Sequence, residues 1–193
     1  MKSKKRGICV QTSGSLNFYP KSRRSQVWIE TVVYTLIAFV ILGAILGFAK
    51  PKIEQIQDKS IIEQSIGMMK DIDSTIEDVK IVSGNKREIE LGVKKGSLNI
   101  DASNDQIIFE IESQYDYSEP RITITNGNIK IYNNKVGKIN KINATINYAG
   151  KYNITFGGED KQELLTKSSG SYKLFISNKG EENNLIKINF EFK

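Results

Sequence analysis

The sequence contains no histidine, and its one cysteine, Cys9, lies within the first 25 residues. Beyond position 25 the chain therefore cannot build a Cys/His zinc site, a cysteine nucleophile or a Ser–His pair. Nor can it close an intrachain disulfide, so an exported domain made from it must stand on its hydrophobic core. Acidic residues are also missing from residues 1–25, where Lys2, Lys4, Lys5, Arg6, Lys21, Arg23 and Arg24 stand. These seven bases leave 21 against 22 acids in residues 26–193, a net of about −1, although the whole chain carries +6. The basic character belongs to a leader beside an apolar segment. The rest of the chain offers no clustered basic face for phosphates, and nucleic-acid binding is not expected. With 193 residues, 39% of them apolar, there is room for one modest core and an accessory helix.

What is present is organised around Lys21 to Thr31 and the apolar run that continues to Ala49. The leader before it has little hydrophobic periodicity and contains Gly7, Ser13-Gly14-Ser15 and Pro20, so it reads as unstructured. A secretory signal places its apolar core ahead of the cut, which removes it. Here the plausible cut precedes the apolar core. Val27 to Ala49 is 23 residues, which at about 1.5 Å each gives ~34 Å, enough for a ~30 Å hydrocarbon layer. Lys21, Arg23 and Arg24 precede it, against Lys50 and Lys52 after it, so the N-terminus is expected in the cytoplasm and residues 51–193 outside. Trp28 and Tyr34 suit a membrane-interface belt and serve equally as hydrophobic length.

Arg23-Arg24-Ser25 followed by Gln26-Val27-Trp28-Ile29-Glu30 resembles the processing site of type IV pilins, and more closely the class III signal peptide of archaeal pilin-like proteins. In that family a membrane peptidase cuts on the cytoplasmic side, before a residue that is often Gln, and the fifth mature residue is commonly Glu. A cut between Ser25 and Gln26 puts Glu30 fifth. Ser25 stands where Gly or Ala is frequent, and the leader is long. The match covers residues 21–50.

A carboxylate near the end of a membrane helix costs less than one at its centre, and the bland reading of Glu30 is a side chain reaching the headgroups. Processing would create an α-amino group on Gln26 with an ordinary pKa of ~7.7–8.0. That ammonium is a natural partner for Glu30 of an adjacent subunit, because a charge drawn into an apolar bundle needs pairing. The resemblance implies this assembly role for Gln26 and Glu30. Gly43 and Gly47 form a G-x-x-x-G that lets helix backbones approach, a motif that also arises by chance in apolar helices. Pro51 marks a kink, the start of a second helical piece, or a simple boundary.

Ile53 to Val82 is rich in helix formers and lacks proline. Ile61, Met68, Ile72 and Val79 share one side of a helical wheel, and Ile62, Ile66, Met69 and Ile76 widen it to an arc of roughly 160°. Such an arc predicts a spine for a packed domain. Lys59, Glu63, Lys70, Ser74 and Glu77 occupy the solvated side. Ser83-Gly84-Asn85 ends the helix. Thereafter short runs of alternating polarity recur at 88–93, 97–100, 106–111, 121–125, 128–132, 142–148, 152–156, 172–176 and 185–190. Residues 159–167 suit either a short helix or a strand. Asn126-Gly127 and Ala149-Gly150 read as hairpin turns in a mostly antiparallel sheet, folded over as a sandwich. Asn143-Ala144-Thr145 and Asn153-Ile154-Thr155 satisfy the N-glycosylation sequon.

The expected fold class is α+β: a long N-terminal helix, transmembrane and then amphipathic, with a C-terminal antiparallel sheet or sandwich head, pilin-like. The expected segments are a leader at 1–25, a membrane and assembly segment at 26–50, an amphipathic helix at 51–82 and a head at 83–193. The resemblance implies a structural subunit of a type IV pilus-like surface filament. Its implied partners are further copies of itself, a prepilin peptidase, an assembly ATPase, a membrane platform protein and the lipid membrane. No catalysis, cofactor or metal is expected. The alternative is a minor pilin or membrane-tethered binding module that does not polymerise, and a third class, an exported enzyme, would have to rely on carboxylates.

Overall fold

The computed structural model describes residues 23–192, with side chains from residue 27 onward. Residues 1–22, with Cys9, lie outside the described residues, as do the side chains of Ser25 and Gln26. The architecture is α+β, one long N-terminal helix followed by two β-sheets. The chain divides into two units, Met1–Gly47 and Phe48–Lys193.

Helix α1 runs Arg23–Val79. In the first unit its side chains from Val27 onward are exposed on every side, and the most apolar 18-residue window is 0% buried. Thr31 and Thr35 donate their hydroxyls to the carbonyls of Val27 and Thr31 at 2.9 and 2.7 Å, which satisfies them inside the helix. The helix does not restart at Pro51 but passes through it. Proline has no N–H to give the carbonyl four residues back.

In the second unit the helix buries one face. Ile62, Ile66, Met69, Ile72, Ile76 and Val79 are each at most 5% exposed, at spacings of three and four that keep them in one stripe. Ile61 is partly buried against the same core. Each such aliphatic side chain contributes about 1.5–3 kcal/mol on leaving water. Lys59, Glu63, Lys70 and Ser74 are exposed as the wheel predicts, but Glu77 is half-buried. It accepts a hydrogen bond from the Tyr152 hydroxyl at 2.9 Å, a partner that a helical wheel does not contain. The helix closes at Val79 rather than 82, and Gly84, at φ 85°, takes the left-handed conformation that turns the chain away.

Among the described residues ten strands follow: β1 (Lys86–Leu91), β2 (Ser97–Asp101), β3 (Gln106–Ser113), β4 (Thr123–Asn126), β5 (Ile129–Val136), β6 (Ile139–Asn147), β7 (Tyr152–Phe156), β8 (Gln162–Thr166), β9 (Tyr172–Glu182) and β10 (Leu185–Phe192). The ambiguous stretch 159–167 thus holds a strand, β8, paired antiparallel with β2. One sheet has the order β1-β9-β10-β7 and the other β4-β5-β6-β3-β2-β8. All pairings are antiparallel except that of β7 with β10. A single buried cluster draws side chains from the helix and from both sheets, among them Ile72, Phe109, Ile146, Ile176 and Phe190.

Asn126-Gly127 does close a hairpin, between β4 and β5. Ala149-Gly150 does not: β6 and β7 belong to different sheets, and the turn between them carries the chain from one to the other. The Tyr148 carbonyl accepts from the N–H groups of both Lys151 and Tyr152, at 2.8 and 3.0 Å. The flanking tyrosines are drawn to the helix rather than to a common ladder. Gly96, at φ 84°, precedes β2 where an added Cβ would lie 2.2 Å from the Glu110 carbonyl oxygen, so no larger residue fits there without a shift of backbone.

Candidate functional site

From Val27 to Gly47 the helix presents apolar surface with one carboxylate, Glu30. Trp28, Tyr34 and Phe39 are 71%, 69% and 69% exposed. A helix that is hydrophobic on all sides needs lipid or other helices around it. Glu30 is exposed one turn into this segment. Gly43 and Gly47 lie one turn apart, with no atom within 4 Å of where a Cβ would be, which leaves that stripe open to a close neighbour. Ser25 and Gln26 fall on helical backbone. Ser25, Gln26 and Glu30 lie within two turns of one helix, a proximity set by their spacing in the sequence.

In the second unit, polar contacts fix the helix to the sheets. Asp58 is 5% exposed, although it lies on the apolar face, four residues before Ile62. Lys95, from the loop after β1, donates to its Oδ1, and the Gln114 amide, just past β3, donates to its Oδ2 at 3.0 Å. Burial opposes its ionisation, but the hydrogen bonds from Lys95, the Gln114 amide and Ser113 outweigh it and hold the carboxyl below the usual aspartate range. One long step up the helix, Asp73 accepts from the Tyr148 hydroxyl and the Asn128 side-chain amide, each at 2.9 Å. Burial, together with the Asp73 carboxylate, pushes the Tyr148 hydroxyl far above the ordinary tyrosine range, so it remains a donor. Glu77, a turn further on, takes the Tyr152 hydroxyl and pairs with Lys80. The Lys80 hydrogen bond is the main cause of its lowered pKa.

Most of these anchors are not legible in the sequence. Asp58 was detectable as an acid on an apolar stripe. Tyr148 and Tyr152 share the four-residue spacing of Asp73 and Glu77, but nothing in the sequence pairs them across 75 positions.

An open groove of about 540 Å³ lies beside Glu54, Asp58, Lys94, Lys95 and Gln114. Its polar groups largely hold one another: Lys95 bonds Asp58, Lys94 donates to Gln64 at 2.9 Å, and the Gln114 side chain reaches Glu54 at 3.5 Å. That arrangement fastens loops to the helix. Among the described residues no group of three or more His, Cys, Asp or Glu side chains converges as a metal site. Of the two sequons, Asn143 and Thr145 are half-buried on β6, whereas on β7 Asn153 is half-buried and Thr155 fully buried. Comparison of the chain with family models, curated proteins and solved structures gives no match.

Proposed function

We propose that this chain is the structural subunit of a type IV pilin-like surface filament, held in the membrane before assembly and packed helix to helix after it. One observation carries the reading: the same helix offers a wholly uncovered apolar segment from Val27 to Phe48 and, from Ile62 to Val79, a face buried within a β-rich head. A protein that only needed an anchor would not require its anchor helix to be the spine of its exported domain. A subunit whose head must be carried into register by its helix does require it.

In this reading a peptidase removes residues 1–25 and leaves the membrane helix in place. The new Gln26 ammonium pairs with Glu30 of a neighbour, and the Gly43–Gly47 stripe admits a neighbouring backbone. The partners are the prepilin peptidase, the assembly ATPase and the platform protein implied by the resemblance around Arg23 to Glu30. The work is mechanical and needs no catalysis.

The N-terminal residue of the native protein tests the reading. It is expected to be Gln26, in protein that has lost Cys9 and keeps the apolar helix, with the chain as the main component of isolated filaments. A native mass that retains residues 1–25 would overturn processing. A correctly processed chain found only in membranes at low copy would favour the tethered binding module instead.

A further inference from the structure

The structure treats the two sequons differently. In Asn143-Ala144-Thr145, on β6, strand alternation points Ala144 into the core at 1% exposure, and Asn143 and Thr145 lie together on the outer face of the six-stranded sheet. In Asn153-Ile154-Thr155, on β7, Thr155 is 0% exposed. Its hydroxyl meets the Asn189 Oδ1 at 3.0 Å, and the backbone N–H of Gly158 donates to that same oxygen at 2.6 Å, so the turn after β7 closes over it. A sequon is read through both side chains: the amide receives the sugar, and the hydroxyl two positions on is bound by the transferring enzyme. Asn143 and Thr145 both stay partly exposed once the sheet has formed. Asn153 would require the turn to open and a buried hydrogen bond to break.

The surroundings of Asn143 also suit a sugar. A depression of about 300 Å³ lies beside it, bounded by Ser97, Glu110, Glu112 and Lys141. These are hydrogen-bonding groups of the kind that pair with saccharide hydroxyls. Across the ladder, Tyr132 stands directly opposite Asn143 and is 39% exposed. Its ring offers an apolar surface to a pyranose face.

We propose that Asn143 carries an N-linked glycan and that Asn153 remains unmodified. The proposal rests on the functional reading above only in requiring residues 51–193 to lie outside the membrane. The co-substrate is an oligosaccharide joined through its anomeric carbon to a polyprenyl phosphate or diphosphate. Asn143 Nδ2 attacks that carbon, the C–N bond forms as the carbon–oxygen bond to phosphate breaks, the nitrogen loses one proton to a base of the transferase, and the lipid phosphate leaves. No electron donor or acceptor is needed. The first sugar then rests in the depression beside Glu110 and Lys141, with Tyr132 at its side.

Intact mass and peptide mapping of the protein purified from the cells that make it decide the matter. The expected result is a saccharide-sized excess confined to the peptide containing Asn143. Asn143→Gln and Thr145→Ala should abolish it, Thr145→Ser should retain it, and Asn153→Gln should leave it unchanged. An excess on the Asn153 peptide, or one that survives Asn143→Gln, overturns the assignment. The same spectrum separates the two readings: a chain that begins at Gln26 without sugar overturns this proposal alone, whereas a sugar-free chain that keeps residues 1–25 overturns both.

Discussion

The side-chain amide of Asn178, on β9, donates to the carbonyl of Val79, the last residue of α1, at 3.2 Å, and to that of Lys80 at 3.1 Å. Its Oδ1 accepts from the Gly180 N–H at 2.8 Å, so the side-chain polar groups of this residue, 3% exposed, are all engaged. The final carbonyls of a helix have no partner within it, and here a residue 99 positions away supplies one. A bulge aims it: β10 places one residue, Lys187, where β9 has Lys179 and Gly180, and Gly180 takes φ 96°.

Replacing Asn178 by Leu keeps the number and branching of side-chain heavy atoms and removes both donors, which strands buried carbonyls at the helix end. A loss of about 1–3 kcal/mol is expected. Urea denaturation of a fragment covering residues 52–193 measures it. A midpoint equal to that of the unsubstituted fragment would show that the amide contributes nothing to holding the helix end.

Acid should weaken the attachment of the helix through Asp58. Burial acts to raise its folded pKa, but the hydrogen bonds from Lys95, Gln114 and Ser113, with the Lys95 charge, together outweigh burial and depress it below the ordinary 3.8. The stabilisation is therefore complete above the unfolded value and is lost as pH falls through the lower folded value. Melting temperature of the 52–193 fragment should drop below pH 4 more steeply than that of Asp58→Asn, which should be less stable at pH 7. Parallel acid limbs for the two proteins would remove Asp58 from the account.

Residues 83–193 retain every strand but lack Ile62, Ile66, Met69, Ile72, Ile76 and Val79. Without them the faces they cover become a contiguous apolar surface, which promotes association. The 52–193 fragment should be a monomer that melts in one transition, and the 83–193 fragment should melt at lower temperature or aggregate. If the two melt together, with the helix unfolding separately, the helix is a linker rather than part of the core.

Glu30→Gln removes a charge without shortening the apolar segment, so insertion and removal of the leader should be unaffected. Filament yield should fall at least about tenfold if the carboxylate pairs with a neighbouring Gln26 ammonium. Wild-type yield from this variant would reduce Glu30 to a carboxylate at the headgroups.

The sequence alone determined those features whose physics is local. An uncharged run from Thr31 to Ala49 is apolar all round whatever follows it. The stripe from Ile62 to Val79 is set by the 3.6-residue helical period, and the inward and outward faces of β3, β5 and β6 by the two-residue period of a strand. The turn at Asn126-Gly127 was legible for the same reason. Only the tertiary structure decided which strands share a sheet, and so that Ala149-Gly150 crosses between sheets instead of closing a hairpin. Only it decided that Tyr148 and Tyr152 reach Asp73 and Glu77, that Asn178 caps α1, and that Thr155 is buried while Thr145 is not. Each of these depends on groups 34 to 99 positions apart being brought within hydrogen-bond distance or covered by a distant turn, and periodicity carries no information about contacts at that range.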